Sequence, residues 1–201
     1  MRIVCWFLLL IGVGSGAGSG VGCAATPESR TTRLQAADVL GAADDVREQL
    51  AQSDFLAQRG ATSPEMVLLP TIATNRSDDR LTDGERWMVT AGVARAPAVL
   101  GLMREKNIAV QAPPTAAGFL EQYGIDPGAH DRANLPTHLF TAEVASIARA
   151  AATGLSSDAR ALDERRDTYF VRYEIVEATG RRVLWNGSAE LARRATGLLI
   201  D

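Results

Sequence analysis

The chain has 201 residues and a formal net charge of −3, with 21 basic and 24 acidic residues. This length suffices for one domain with a hydrophobic core, and the lack of a basic excess argues against nucleic-acid binding. The only cysteines are Cys5 and Cys23, and the only histidines are His130 and His138. Because both cysteines precede residue 24, we expect no disulfide, metal centre or cofactor in the folded part.

Residues 1–22 have the pattern of an export signal. Arg2 supplies the positive start, and residues 3–13 form an apolar run that is too short to span a membrane. Alternating glycines follow this run, and they disfavour a stable helix. We predict a lipoprotein signal peptide over residues 1–22.

Cys23 is the candidate lipidation site. The preceding Gly20-Val21-Gly22 resembles a bacterial lipobox, with Gly20 in place of the usual larger aliphatic residue. Fatty acyl chains on Cys23 would anchor the protein, since each buried methylene adds ~0.8 kcal/mol. Ala24 after the cysteine predicts the outer membrane under the enterobacterial sorting pattern. The alternative is ordinary cleavage after Ala25, with Cys23 discarded.

Residues 23–35 are polar and contain Pro27, which predicts a linker before a single globular domain over residues 36–201. Within that domain we expect a helix from Asp38 to Gln52, with Asp38 as its N-cap. A second helix is expected to begin near Thr82 or Asp83 and to be kinked or split by Pro97.

The remaining elements alternate between strands and helices. Met66–Leu69 is an apolar run closed by Pro70, which predicts an edge strand or a bulge. The other expected elements, in chain order, are a short strand over Asn107–Gln111, a helix over Thr115–Tyr123, a long strand over Thr137–Arg149, a loop over residues 150–166, and a final short helix or frayed end over Leu191–Ile200.

A β-hairpin near the end of the chain is the clearest element. Tyr169, Val171, Tyr173 and Ile175 recur at every second position with Arg172 and Glu174 between them, which predicts one buried face and one wet face. Gly180 suits a tight turn, and the return strand is predicted to carry Val183 and Trp185 on one face. The fold class that these elements predict is α/β, a small and mostly antiparallel sheet of about four strands flanked by helices.

The order of these segments resembles one family, the LpoB branch of the Lpo-type lipoprotein activators of penicillin-binding proteins. The resemblance spans roughly residues 36–190 and rests on four segments besides Cys23. These are the end of the first helix at residues 50–55, the strand and loop at residues 68–77, the strand at residues 138–144, with Ala142 where glycine is usual, and the hairpin at residues 179–187.

The resemblance implies an outer-membrane lipoprotein on the periplasmic face that binds and regulates a peptidoglycan synthase, a penicillin-binding protein, without being an enzyme. The linker is short for that task, because residues 24–33 span at most ~36 Å at ~3.6 Å per residue. One alternative is an envelope lipoprotein of a secretion or assembly machinery with a related fold. A small hydrolase is the third candidate, and neither histidine has a recognisable orienting partner for it.

Arg76 is the candidate partner-binding residue, on a loop over residues 75–79 that is also interpreted as a turn bonding its own backbone. Trp185 is expected in the core, with an interface anchor as the alternative. His138 is expected to be a half-exposed sheet residue. Two further groups are interpreted as solvated surface, the acidic set Asp44, Asp45 and Glu48, and the pairs Arg165-Arg166 and Arg193-Arg194.

Overall fold

A computed structural model describes residues 33–128, 135–150, 164–179 and 182–196. The helices are α1 (Ala36–Ala51), α2 (Asp54–Ala57), α3 (Asp83–Trp87), a π-helical turn (Met88–Gly92), α4 (Pro97–Glu105) and α5 (Pro114–Gln122). The strands are β1 (Met66–Pro70), β2 (Thr74–Asn75), β3 (Ile108–Val110), β4 (His138–Ala150), β5 (Glu164–Glu177) and β6 (Val183–Thr196).

The strands form one mixed sheet in the order β3-β1-β4-β5-β6, with β2 paired to β4 beyond the end of β1. β1 pairs in parallel with both β3 and β4, and β2 pairs in parallel with β4. Only the β4–β5 and β5–β6 pairs are antiparallel. The α/β class is therefore confirmed, whereas a mostly antiparallel sheet of about four strands is wrong. The parallel pairs join segments separated by helical crossovers, which local alternation does not reveal.

The hairpin of β5 and β6 is confirmed, and its inward face follows the predicted alternation. Tyr169, Val171, Tyr173 and Ile175 are all buried. Trp185 is also buried, but Val183 is exposed, so the prediction that they share a face is wrong. The register runs from the Ile175–Trp185 pair to a Val176–Val183 pair, which leaves an extra residue in β6. The extra residue forms a β-bulge, which shifts the alternation so that Val183 points away from the face that carries Trp185.

Pro70 ends β1, but β1 is not an edge strand, because it lies between β3 and β4. The last β1 residue paired with β3 is Leu68, whose carbonyl accepts from the backbone N–H of Gln111 at 3.0 Å. Since backbone groups alternate in direction along a strand, Pro70 faces the same side as Leu68, beyond the last residue of β3. The missing N–H of Pro70 therefore removes no bond of the β1–β3 ladder.

Helix α1 begins earlier than predicted. Gln35 is the N-cap, and the carboxylate of Asp38 accepts from the backbone N–H of Gln35 at 2.9 Å. Asp38 is therefore the third helical residue of a capping box, which corrects its assignment as the N-cap. One face of α1 is buried in the main hydrophobic cluster with residues from α4 and the sheet; its α1 members are Val39, Ala42, Ala43, Val46 and Leu50.

The second helical region begins at Thr82 and is split at Pro97, as predicted. The hydroxyl of Thr82 accepts from the backbone N–H of Glu85, which closes a capping box. Pro97 is the first residue of α4, where its missing N–H is tolerated. Between them lies the π-helical turn, which is entirely buried, and its Thr90 hydroxyl donates to the carbonyl of Thr71 at 2.6 Å.

The end of the described chain is a strand. β6 continues to Thr196 in register with β5, so a helix or frayed end beginning at Leu191 is wrong for residues 191–196. The predicted loop over residues 150–166 is wrong at both ends, since Ala150 belongs to β4 and residues 164–166 to β5. The long strand of the prediction is confirmed as β4. The predicted signal peptide, Cys23, most of the linker, His130 and Gly180 lie outside the described residues.

Helix α1 is tied to the outer edge of β6 by one side-chain amide. Nε2 of Gln49 donates to the carbonyl of Ser188 at 2.7 Å, and the backbone N–H of Ser188 donates to Oε1 of Gln49 at 2.9 Å. These two bonds reproduce the pattern that a neighbouring strand would make at that residue.

Candidate protein-interaction surface

The sheet has one face packed into the core and another that remains accessible. On β4 the buried side chains are those of Phe140, Ala142 and Val144, which belong to the main hydrophobic cluster. The residues between them point to the other side, because successive side chains of a strand alternate. We call this second side the open face; its defining residues on β4 and β5 are Thr141, Glu143, Ala145, Ile147, Phe170, Arg172 and Glu174.

Charged side chains of alternating sign cross the open face. Arg76, just after β2, forms an ion pair with Glu143 on β4, with 2.9 Å between Nε and Oε2. Glu143 is directly opposite Arg172 on β5, and Arg172 forms an ion pair with Glu174. Since 68 % of each arginine side chain is exposed, water screens these pairs and both guanidinium groups stay accessible to another protein.

A small cavity of about 220 Å³ lies among these charges. It is lined by Thr74, Thr141 and Ala142 together with Glu143, Arg172 and Glu174. Its lining is predominantly charged or hydroxylic, unlike the mostly apolar clefts that enclose small-molecule ligands.

Two exposed apolar side chains lie beside the charges. Phe170 on β5 is 39 % exposed and Ile147 on β4 is 48 % exposed. Phe170 is opposite Ala145, so Ile147 is its diagonal neighbour on the same face. Diagonal neighbours in a sheet lie about 7–8 Å apart, within reach of an aromatic side chain. The open face therefore offers an apolar pair next to accessible arginines and carboxylates.

The loop that carries Arg76 is held firmly against the sheet. Nδ2 of Asn75 donates to the carbonyl of Asp79 at 2.7 Å, and Oδ1 of Asn75 accepts from the backbone N–H of Ser77 at 3.0 Å. The hydroxyl of Tyr169 on β5 donates to the carboxylate of Asp79. The interpretation of the loop as a turn bonding its own backbone is confirmed. The partner-binding role of Arg76 stays a prediction.

Solved structures that are similar to this chain include the LpoB C-terminal domain from Salmonella enterica. It shares 11 % sequence identity over 77 % of this chain and 98 % of that domain, with a TM-score of 0.39. Others are lipoprotein GNA1162 from Neisseria meningitidis (16 % identity, 68 % of this chain, 87 % of that chain, TM-score 0.35) and the PelC dodecamer from Paraburkholderia phytofirmans (10 %, 67 %, 76 %, 0.31). The LpoB type that the sequence resembles is thus among the similar solved structures. No family model and no curated protein matches the sequence.

The other candidates from the sequence lie apart from the open face. Trp185 is 6 % exposed and belongs to the core, as expected. Asp44, Asp45 and Glu48 are exposed on α1, which agrees with a solvated helix face. The described residues contain no group of three or more His, Cys, Asp or Glu side chains placed to hold a metal ion. None of the helices in the described ranges has the length and apolar character needed to cross a bilayer.

His138 is half-buried at the start of β4, as expected, with Nδ1 2.8 Å from the hydroxyl of Thr137. Burial lowers the pKa of its imidazole, and Glu177 opposes that effect while Arg59 and Arg182 add to it.

The prediction that Arg193 and Arg194 form a solvated pair is wrong for Arg193. It is nearly buried and forms an ion pair with Asp38 on α1, with 2.9 Å between Nη1 and Oδ1. The side chains of Arg165 and Arg166 lie outside the description.

Sequence reasoning missed most members of the open face. The alternation of β5 placed Arg172 and Glu174 on its wet side, but it did not indicate that Glu143 faces them. That relationship depends on the register of β4 against β5. Phe170 occupies a wet position in the same alternation, and an aromatic residue at such a position is the signal that was available in the sequence.

Proposed function

We propose that this chain is a lipid-anchored outer-membrane lipoprotein that binds a penicillin-binding protein through the open face and regulates it, without catalysing a reaction itself. The order of sequence segments resembling LpoB-type activators supports the partner class. The lipobox before Cys23 supports the anchor. The observation on which the proposal rests is the exposed pair of Phe170 and Ile147 beside two accessible arginines.

This composition suits recognition of another folded protein. Protein interfaces have an apolar centre surrounded by polar groups, and aromatic and arginine side chains contribute most to their affinity. Phe170 would supply the centre, while Arg76 and Arg172 would supply charge-assisted hydrogen bonds to carboxylates of the partner. The long pairing of β4 with β5 keeps these groups on a rigid support, so little conformational entropy is lost on binding.

The test is co-purification of the full chain with each penicillin-binding protein of the source organism. We expect one synthase to be retained and its glycan polymerisation or crosslinking rate to change when the chain is added. Phe170→Asp and Arg172→Glu should each weaken binding at least ~10-fold, the loss expected of a central interface residue. The matched control is Arg47→Glu, on an exposed position of α1, which should bind normally.

A result in which no synthase is retained would overturn the partner assignment. A stable ring-shaped oligomer of the chain would favour the assembly-machinery alternative. Equal binding by Arg172→Glu and the wild type would remove the open face as the contact. Arg76→Glu tests the predicted residue separately. It should weaken binding, because a carboxylate beside Glu143 would repel the carboxylates of the partner that Arg76 is proposed to bind.

The anchor is tested by mass spectrometry of the mature protein. We expect Cys23 to be the first residue and to carry fatty acyl chains. A mature chain beginning at Thr26, after ordinary cleavage at Ala25, would show that the protein is exported without lipidation.

A further inference from the structure

Arg95 is a buried cation that the open face does not use. Only 6 % of its side chain is exposed, and it lies three residues beyond the end of the π-helical turn. Its Nε donates to the carbonyl of Asp126 at 2.6 Å, and Nη1 donates to the carbonyl of Val110 at 2.8 Å. Its ion pair with the Asp126 carboxylate is long, 3.8 Å, and that carboxylate side chain is 85 % exposed. Such a pair neutralises a buried charge poorly.

A second arginine stands close to the first. Burial lowers the pKa of Arg95, Asp126 opposes that effect, and the like charge of Arg104 on α4 lowers the pKa further. Two guanidinium groups that repel each other next to a cavity leave a positive region suited to a carboxylate, which would interact with both.

The two arginines line a continuous groove. One cavity of about 450 Å³ extends along β3 and a second of about 380 Å³ extends along the start of α4. Arg95, Arg104, Leu100 and Asp126 line both, so the cavities meet at the arginines. Glu65 lines the β3 end alone, and it balances part of the charge only at that end. A negatively charged group would therefore be stabilised most in the middle of the groove, between the two arginines.

One wall of the groove is the outer edge of β3. Within the described residues β3 pairs only with β1, and it is the last strand of the sheet on that side. Asn107 and Gln111 bond to β1, so by alternation Ile108 and Val110 direct their backbone groups outward. The carbonyl of Val110 already accepts a hydrogen bond from Arg95. The N–H and carbonyl of Ile108 and the N–H of Val110 face the groove.

We propose that this groove binds an extended peptide segment of another protein that carries a carboxylate. The segment adds to β3 as a further strand, by hydrogen bonds to the outward groups of Ile108 and Val110. Its carboxylate lies between Arg104 and Arg95, where it completes the neutralisation that Asp126 supplies only in part. This site lies on a different strand from the open face, and it stands whether or not the partner at the open face is a synthase.

The experiment is selection of phage-displayed random octapeptides on the full chain in detergent solution. We expect the selected peptides to be enriched in Asp or Glu at one position. Replacing that residue by Asn or Gln in a synthetic peptide should weaken binding at least tenfold, and Arg104→Glu should do the same. The matched control is Arg47→Glu, which changes the net charge equally on an exposed position outside the groove.

Amide hydrogen exchange distinguishes strand addition from a purely ionic contact. Saturation with the selected peptide should slow exchange of the Ile108 and Val110 amides at least tenfold, because both become hydrogen-bonded. The proposal is overturned if the selected peptides lack an acidic preference, if Arg104→Glu and Arg47→Glu bind them equally, or if those two amides exchange at unchanged rates with peptide bound.

Discussion

Gly187 lies against the indole ring of Trp185, two residues earlier on the same face of β6. A Cβ atom at position 187 would stand 2.4 Å from Cζ2 of Trp185 and 2.9 Å from Oε1 of Gln49. The absence of a side chain at Gly187 therefore lets the ring and the Gln49 amide occupy adjoining positions. This contact joins the hairpin to α1 and makes glycine a steric requirement at this point of the strand.

Gly187→Ala is expected to destabilise the protein by about 1–3 kcal/mol, because the added methyl group forces the indole or the amide to move. Unfolding by urea, followed by tryptophan fluorescence, measures the change. Gly41→Ala on α1 is the control, since nothing lies within 4 Å of its added Cβ. The control should stabilise the helix by up to ~1 kcal/mol. A neutral Gly187→Ala variant would contradict the packing of the ring.

Two buried tyrosines of β5 differ in their hydroxyl groups. The hydroxyl of Tyr169 donates to Asp79, whereas that of Tyr173 has no hydrogen-bond partner among the described residues. Burial, with the charge of Asp45 adding to it, raises the pKa of Tyr173 above its ordinary range. Removing an unbonded buried hydroxyl relieves a desolvation penalty, while removing a bonded one leaves its partner unsatisfied.

Tyr173→Phe should therefore be neutral or more stable by up to ~1 kcal/mol, and Tyr169→Phe should be less stable by about 1–2 kcal/mol. Both variants remove one oxygen from the same strand, so each serves as the control for the other in thermal or urea unfolding. The interpretation fails if Tyr173→Phe loses as much stability as Tyr169→Phe.

The ion pair between Arg193 and Asp38 joins the far end of β6 to the start of α1. Both side chains are less than one fifth exposed, so removal of one leaves the other poorly solvated. Arg193→Met is expected to cost about 1–3 kcal/mol of unfolding free energy, less than for a fully buried pair.

Arg47→Met is the control for this pair, because Arg47 is exposed on α1, and it should change stability by less than ~0.5 kcal/mol. A double-mutant cycle with Asp38→Asn measures the coupling between the two charges. A coupling energy near zero would show that the pair contributes nothing to the attachment of α1.

His138 should make stability depend on pH. Its folded-state pKa lies below the ordinary 6.5, so the unfolded chain takes up a proton first as the pH falls. The contribution is fully present above about pH 6.5 and is lost as the pH falls through the folded-state pKa.

The measurement is the free energy of unfolding of the wild type minus that of His138→Gln, between about pH 8 and pH 5, across the range in which histidine titrates. Because His130 and the carboxylates are common to both proteins, their titration cancels. We expect the difference to decrease on acidification. An increase would mean that Glu177 outweighs burial.

Local patterns were sufficient wherever one residue's neighbours in sequence determine its environment. The alternation of Tyr169, Val171, Tyr173 and Ile175 predicted the buried face of β5, and Thr82 and Pro97 predicted where the helices begin and divide. The Ala-rich, Arg-rich segment after Leu191 has helical propensity, yet it forms a strand. It pairs with the first half of β5, and such tertiary pairing overrides propensity.

Relationships between distant segments were not accessible from one sequence. Arg193 and Asp38 are 155 residues apart, and nothing local indicates that they meet. Likewise, the parallel neighbours of β1 depend on crossovers through α3, α4 and α5. The open face and the groove beside β3 both depend on such non-local placement. Each residue was visible in the sequence, but nothing in the sequence indicated which of them would be grouped together.

The amide of Gln49 has a consequence for self-association. β6 is 14 residues long and ends the described sheet, and a long unprotected edge is the element along which identical chains stack into fibrils. By holding both backbone groups of Ser188, Gln49 interrupts that edge near its middle. A second molecule would have to displace this amide before it could extend the sheet in continuous register. Helix α1 therefore hinders edge-to-edge aggregation through β6.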